Sequence, residues 1–239
     1  MLPVVKAAFT AISRSRSWDM ATRLAGAGVL MFLAAAAFAA VVATARQLAA
    51  GGTVPRLLPT LVVNVCVFVL LLIETTLIAC RTRAVAKAPG VKARASALVG
   101  TWLIFLVVFL PLRTDLPQPV YILAAVLSAG GDLLAIYVVL HLGRSYSIMA
   151  EARRPVSGGP YALVRHPLYV AEQIALLGAL ITYLSWRALV LFAVQSSVQF
   201  LRARNEETIL ARAFPGYADY LRRTPMLLPR WSIGRGRAR

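Results

Sequence analysis

The densest chemistry in the chain lies in one string, Ser157-Gly158-Gly159-Pro160-Tyr161-Ala162-Leu163-Val164-Arg165-His166-Pro167-Leu168-Tyr169. The two glycines permit close backbone approach to a ligand and Pro160 fixes a turn. Because His166 precedes a proline it is held out of the helical region, which predicts a helix starting at Pro167. A helix entrance presents free backbone N–H groups, and with Arg165 beside it the place suits an anionic group such as a carboxylate. Tyr169 and Glu172, three apart, share a helical face. A second cluster is Arg202-Ala203-Arg204-Asn205-Glu206-Glu207. Its adjacent carboxylates could hold an ammonium group or ribose hydroxyls, while Arg202 and Glu206 at i,i+4 read equally as a surface ion pair. Beyond it, Phe214-Pro215-Gly216 breaks the chain before Tyr217 and Tyr220. That segment is either a lid whose tyrosines stack on a ligand or an interfacial aromatic belt.

Three of the nine acidic residues, Glu74, Asp132 and Glu172, fall inside apolar runs. A central Asp costs about 2.5 to 3.5 kcal/mol on insertion scales, so each is a functional candidate. The alternative for each is an interhelical hydrogen bond or a basic partner snorkelling from a loop, and Asp132 beside Gly130-Gly131 also suits a close helix contact. Glu74 and Glu172 fall roughly 8 to 9 Å below one membrane boundary and Asp132 about 15 Å deep, at 1.5 Å per residue. His141 reads as structural. Cys66 and Cys80, 14 positions apart on one run, lie about 21 Å apart in a helix, beyond disulfide reach. No metal site is expected.

The elements that must position these residues are membrane helices. The chain of 239 residues is 59% hydrophobic and only 15% charged, with a mean hydropathy of +0.73. These values exclude an ordinary soluble globule and a disordered chain. The net charge of +17 does not indicate nucleic acid, because the basic residues punctuate long apolar runs instead of forming a patch. Nearly charge-free windows lie between Arg23 and Arg46, Arg56 and Arg81, Arg94 and Arg113, Asp115 and Arg144, and Arg165 and Arg187, each about 18 to 28 residues. A sixth apolar run, Ala188 to Leu201, has 14 and needs snorkelling ends or a hairpin with its predecessor. The expected fold is all-α, a polytopic bundle of six spans, five being the alternative. Alternate segments hold 22 of the 26 Lys and Arg, which by the positive-inside rule puts both termini in the cytoplasm. A cleaved signal peptide ending near Ala43-Thr44-Ala45 is the other reading of the start, but its basic lead and apolar run are too long. Residues 1–17 suit a short interfacial helix, and residues 230–239 a basic, lipid-facing tail. A single membrane domain over 1–239 is expected, with 1–141 forming the N-terminal spans. The lipid bilayer is the expected partner, and 23 Arg against 3 Lys suggests a prokaryotic cytoplasmic membrane.

Taken in order, Leu142-Gly143-Arg144-Ser145-Tyr146-Ser147, the Gly159-Pro160-Tyr161 turn, Arg165-His166-Pro167-Leu168-Tyr169, Glu206-Glu207 and the ending from Tyr217 to Pro229 resemble the isoprenylcysteine carboxyl methyltransferase family. That family belongs with the integral-membrane phospholipid methyltransferases. The resemblance covers residues 142–229 and implies a catalytic region there that encloses S-adenosylmethionine. It assigns cofactor contacts to Arg165, His166, Tyr169, Glu206 and Glu207, with Gly159, Pro160 and Tyr161 lining the pocket. The family often has Gly shortly after the motif tyrosine, where this chain has Val170, Ala171 and Glu172. The first 141 residues carry no family signature, and they are the part expected to shape the acceptor site.

S-adenosylmethionine carries a sulfonium, an ammonium and a carboxylate, so Glu206 or Glu207 near the ammonium and Arg165 near the carboxylate would be complementary. A lipophilic acceptor would enter sideways from lipid. An anionic acceptor needs no general base, whereas a thiol or amine needs one, with His166 or Glu172 as candidates. Asp132, Glu74, Tyr217 and Tyr220 are the acceptor-side candidates. Two other classes remain open: a sterol-type membrane reductase, which would bind NADPH and needs a basic set where this chain has Glu206-Glu207, and a non-catalytic scaffold or transporter.

Overall fold

The computed structural model describes residues 16–82, 84–87, 99–100, 103–148, 151–153 and 155–229. Among them the helices are α1 (Arg16–Ala49), α2 (Val54–Cys80), α3 (Gln118–Leu142), α4 (Pro160–Leu163), α5 (Pro167–Thr182), α6 (Trp186–Ala213) and α7 (Tyr217–Arg223). Short 3-10 turns occupy Leu103–Phe109 and Gly143–Ser145. A two-residue antiparallel ladder pairs β1 (Ala86–Lys87) with β2 (Glu151–Ala152). The all-α expectation holds, and the ladder only ties two loops together. The expected interfacial helix and basic tail lie outside the described residues, apart from Arg16 and Ser17 at the start of α1.

Local signals set the helix limits. Prolines occupy the first turns of α2, α3, α4 and α5, where a missing N–H costs nothing. The Ser185 hydroxyl caps α6 by accepting the Ala188 N–H at 3.2 Å. Gly143, at φ +53°, ends α3 in a conformation that L side chains rarely adopt.

Among the described residues, three helical stretches are long and apolar enough to cross a membrane: Asp19–Ala49, Val54–Cys80 and Gln118–Ser145. Helix α5 is apolar but has 16 residues, about 24 Å. The short sixth window is the first half of a longer helix, since α6 runs 28 residues and carries Arg202 to Glu207 on its second half. In the third window the described residues give a 3-10 turn, which Pro111 follows. Cys66 and Cys80 are both free on α2.

The connections sort into two ends of the bundle. At one end Arg56 Nη1 donates to Thr114 O at 2.7 Å, Gln118 Nε2 to Pro55 O at 2.6 Å and the Arg113 amide to Thr182 O at 3.0 Å. At the other, Arg81 reaches Thr22 Oγ1 at 3.0 Å and Asp19 at 3.6 Å, and the Thr82 amide donates to Arg144 O at 2.9 Å. The arginine-rich segments and the candidate site share this second end.

Helix α1 packs on α2, α2 on α3 and α3 on α5. The core runs from Leu30 and Ala34 through Leu71, Ile78, Ala135 and Val138 to Tyr146, Leu168 and Ala171 beneath the site. Outward faces remain apolar, with Phe32 73% and Leu140 57% exposed, as lipid contact requires. The α3–α5 contact is set by small residues. A Cβ at Gly131 would stand 2.3 Å from Ala175 N, and one at Gly178 would stand 2.4 Å from Ala124 O, so the two backbones touch at both glycines.

Candidate active site

Seven of the thirteen candidate residues, Tyr161, Arg165, His166, Tyr169, Glu206, Tyr217 and Tyr220, line a cavity of about 120 Å³ at the arginine-rich end. Its walls come from the end of α3 and the loop after it, the α4–α5 corner, the second half of α6, and α7.

The corner is built as the sequence suggests. Gly159, at φ +56°, turns the chain into α4, and a Cβ there would stand 2.4 Å from the His141 ring, so this glycine is needed to seat an imidazole. His166 lies outside the helical region, at φ −126° and ψ 61°, and α5 begins at Pro167. Two amides just ahead of that entrance are engaged by the chain itself: Arg165 N–H donates to Pro225 O at 2.9 Å and His166 N–H to Met226 O at 3.1 Å. The strap after α7 is thus tied to the corner by two backbone hydrogen bonds.

Helix α6 faces the corner with its two carboxylates. Glu207 Oε1 lies 3.0 Å from Arg165 Nε and accepts from His166 Nε2 at 3.0 Å. Glu206 Oε1 accepts from Tyr169 OH at 2.6 Å and from Arg202 Nε at 3.2 Å. The Arg202–Glu206 pair is therefore real but not a surface pair, since Arg202 is 6% exposed. Arg202 also donates to Ile148 O at 3.1 Å and stands 5.2 Å from the Tyr169 ring centre. The His166 and Tyr169 rings are stacked at 5.2 Å.

Helix α7 closes the cavity. Tyr217 and Tyr220 both line it, Tyr220 OH donates to Tyr161 O at 2.7 Å and Arg165 Nη1 donates to Leu221 O at 2.9 Å. Burial raises the phenols of Tyr161 and Tyr217, and neighbouring Tyr220 adds to the effect at both. Burial also pushes Tyr220 up to about 12, against the pull of Arg165, so all three remain neutral at physiological pH. Tyr220→Phe removes one clasp of this lid. A net hydrogen bond of about 0.5 to 1.5 kcal/mol makes the expected result roughly two- to tenfold faster amide hydrogen exchange over residues 217–226, with the transmembrane helices unchanged.

The remaining candidates divide. Tyr161, Arg165, His166, Tyr169, Glu206, Tyr217 and Tyr220 line the cavity, whereas Gly159, Pro160, Glu172, Glu207, Glu74 and Asp132 do not. Glu207 acts one step back, through Arg165 and His166. The expectation that the whole Gly159 to Tyr161 turn lines the pocket is corrected to Tyr161, because Gly159 is turned onto His141. Glu74 accepts from Tyr146 OH at 2.7 Å, and that ring lines the cavity. Glu172 accepts from Gln199 in a chain that continues through Gln173 to Ser196, joining α5 to α6. Asp132 is buried on α3 beside the glycine contact. Among the described residues no group of three or more His, Cys, Asp or Glu is placed to hold a metal ion.

Sequence reasoning gave no role to Arg153, 3% exposed and lining the cavity, or to Tyr146. The signal for Arg153 is present, since Arg153-Arg154-Pro155 immediately precedes the glycine string, but a basic pair in a loop reads first as an orientation charge.

A helical bundle with outward apolar faces and an arginine- and glutamate-lined cavity at its charged end has the build of an integral-membrane helical protein. The phospholipid methyltransferase family model matches residues 119–216, from the start of α3 to the turn before α7, a stretch that includes every cavity-lining residue except Tyr217 and Tyr220. The cobalt-zinc-cadmium resistance protein CzcN of Cupriavidus metallidurans is 40% identical over 82 residues, which is 34% of this chain and 38% of that protein. The nickel-cobalt-cadmium resistance protein NccN of Alcaligenes xylosoxydans xylosoxydans is 38% identical over 82 residues, with the same coverage. The alignment thus spans well under half the length of these curated relatives.

Proposed function

We propose that this protein uses S-adenosylmethionine to methylate a lipophilic or membrane-associated acceptor at the cytoplasmic face of the membrane. One observation carries the reading: within the region matched to the methyltransferase family, a single cavity gathers Arg165, His166, Tyr169 and Glu206, with Glu207 behind them. The donor set fits the cofactor, since carboxylates suit its ammonium and ribose hydroxyls, guanidinium groups its carboxylate, and aromatic walls its purine. When bound, the cofactor supplies a methyl group on a positively charged sulfur.

The chain's own residues have three tasks. Glu207 fixes the Arg165 side chain and His166 ring, and so the geometry of the α5 entrance. The α7 lid excludes water, which favours a reaction in which charge is dispersed. The helices hold the acceptor against the reacting carbon, a contribution that can reach roughly 7 to 11 kcal/mol. A carboxylate acceptor needs no base; for a thiol or amine, His166 is placed at the cavity and Glu172 is not.

The decisive measurement is the thermal stability of detergent-purified protein with S-adenosylhomocysteine and with NADPH. Stabilisation by the first alone is expected, at roughly 2.7 kcal/mol when the ligand is at 100 times its Kd. Stabilisation by NADPH alone would assign the chain to the reductase class, and by neither to a scaffold or transporter.

A further inference from the structure

We propose that the tyrosines walling the cavity recognise the positive sulfur of the donor, so that the site holds S-adenosylmethionine in preference to its demethylated form. This rests on the cofactor reading above and adds which side chains sense the charge.

Tyr146, Tyr161, Tyr169, Tyr217 and Tyr220 all line the same cavity. Three of their hydroxyls are committed to the protein: Tyr146 OH to Glu74 at 2.7 Å, Tyr169 OH to Glu206 at 2.6 Å and Tyr220 OH to Tyr161 O at 2.7 Å. What Tyr146, Tyr169 and Tyr220 offer a ligand is therefore chiefly ring, and Tyr217→Phe separates ring from hydroxyl at Tyr217. Aromatic faces carry negative electrostatic potential and attract cations, most strongly when both partners are out of water. The site already uses this attraction, because the Arg202 guanidinium stands 5.2 Å from the Tyr169 ring centre. The Tyr217 and Tyr220 rings meet at 51° with centres 5.4 Å apart, which makes a two-walled corner on the lid.

Such a wall selects among cations. A strongly hydrated inorganic ion needs oxygen ligands to replace its water, and here three of the five phenol oxygens are spent and the Glu206 carboxylate already accepts from Tyr169 and Arg202. A weakly hydrated organic cation loses little by leaving water and gains the rings. S-adenosylhomocysteine has the same adenosine and amino-acid parts with a neutral sulfur, so it keeps the polar contacts and forgoes the ring attraction. The lid tyrosines would then favour the charged donor over the spent one in the same cavity.

The test is isothermal titration of the full chain in nanodiscs with S-adenosylmethionine, S-adenosylhomocysteine and sinefungin, which carries an ammonium group near the position of the sulfonium. In the unmodified protein the two cationic ligands are expected to bind about tenfold more tightly than S-adenosylhomocysteine. Tyr217→Phe keeps that ratio and Tyr217→Leu brings it close to one. Should Tyr217→Leu fail to give a cooperative melt, Tyr220→Leu against Tyr220→Phe supplies the same comparison. Equal affinity for charged and neutral ligands in the unmodified protein, or a ratio that survives the leucine change, overturns the inference and leaves the cofactor reading standing. Binding of none of the three removes the cofactor reading and this inference with it.

Discussion

Glu207→Ala is expected to weaken S-adenosylhomocysteine binding by about 100-fold and to lower the melting temperature by roughly 5 to 10 °C. The carboxylate serves two partners at once, with Arg165 Nε and His166 Nε2 each 3.0 Å from the same oxygen. Breaking a fully buried pair typically costs about 3 to 5 kcal/mol, because the surviving charge is left in low dielectric. Arg165 and Glu207 keep 14% and 16% side-chain exposure, so water screens part of the loss and about 2 to 3 kcal/mol is the better figure. For a chain of this size each kcal/mol moves the midpoint by about 2 to 4 °C. The 100-fold binding loss corresponds to a similar free energy, about 2.7 kcal/mol, because Arg165 also holds Leu221 O and so the lid. Glu207→Gln keeps an acceptor for one partner and should fall between the two. A double-mutant cycle with Arg165→Leu should return a coupling above about 1 kcal/mol. Unchanged affinity and melting in Glu207→Ala would remove this carboxylate from the site.

The positions of these groups were legible in the sequence for particular reasons. His166 before Pro167 is biased out of the helical region by a local steric clash, which favours a helix start at the proline, and α5 begins there. Glu206 and Glu207 stand out because carboxylates are expensive near an apolar run. The alternation of arginine-rich segments likewise follows from charge alone, and the connections do group at two ends as it requires.

What could not be read depends on long-range contact. The strap carbonyls of Pro225 and Met226 occupy amides that the sequence leaves open, and a carbonyl leaves no trace in residue type. Arg202 looked like a surface partner of Glu206 because i,i+4 spacing cannot tell a lipid-facing helix from one whose end is covered by Tyr169 and Ile148. Glu172 shares a helical face with Tyr169, yet the chain through Gln199, Gln173 and Ser196 takes it toward α6. Polar residues in two apolar helices announce that they will pair, but not with whom. Nor does composition give the length of α6, since its apolar half ends at Leu201 while its hydrogen bonding continues to Ala213.

Gly131→Leu is the second substitution expected to act strongly, and it acts without touching the cavity. Its added Cβ would meet Ala175 N at 2.3 Å, Ala175 Cα at 2.7 Å and Ala171 O at 2.8 Å. These are backbone atoms of α5, which cannot rotate away, so α3 and α5 must separate. Overpacking a tight contact by small groups costs about 1 to 3 kcal/mol, and Gly131→Ala should show that cost as a lower melting temperature with binding retained. Leucine adds three further carbons at the same place, forcing a separation that carries the N-terminus of α5 with it. That end bears His166 and Tyr169, whose contacts with Glu207 and Glu206 tolerate little movement at 3.0 and 2.6 Å. S-adenosylhomocysteine binding should therefore be lost in Gly131→Leu, even where lipid or detergent keeps the helices assembled. Gly178→Ala tests the other end of the same contact against Ala124 O at 2.4 Å. Lying farther from His166, it should cost stability with a smaller loss of affinity. Equal affinity losses in Gly131→Leu and Gly178→Leu would mean that α5 moves as a rigid rod, and full affinity in both would mean that the α3–α5 contact does not position the site.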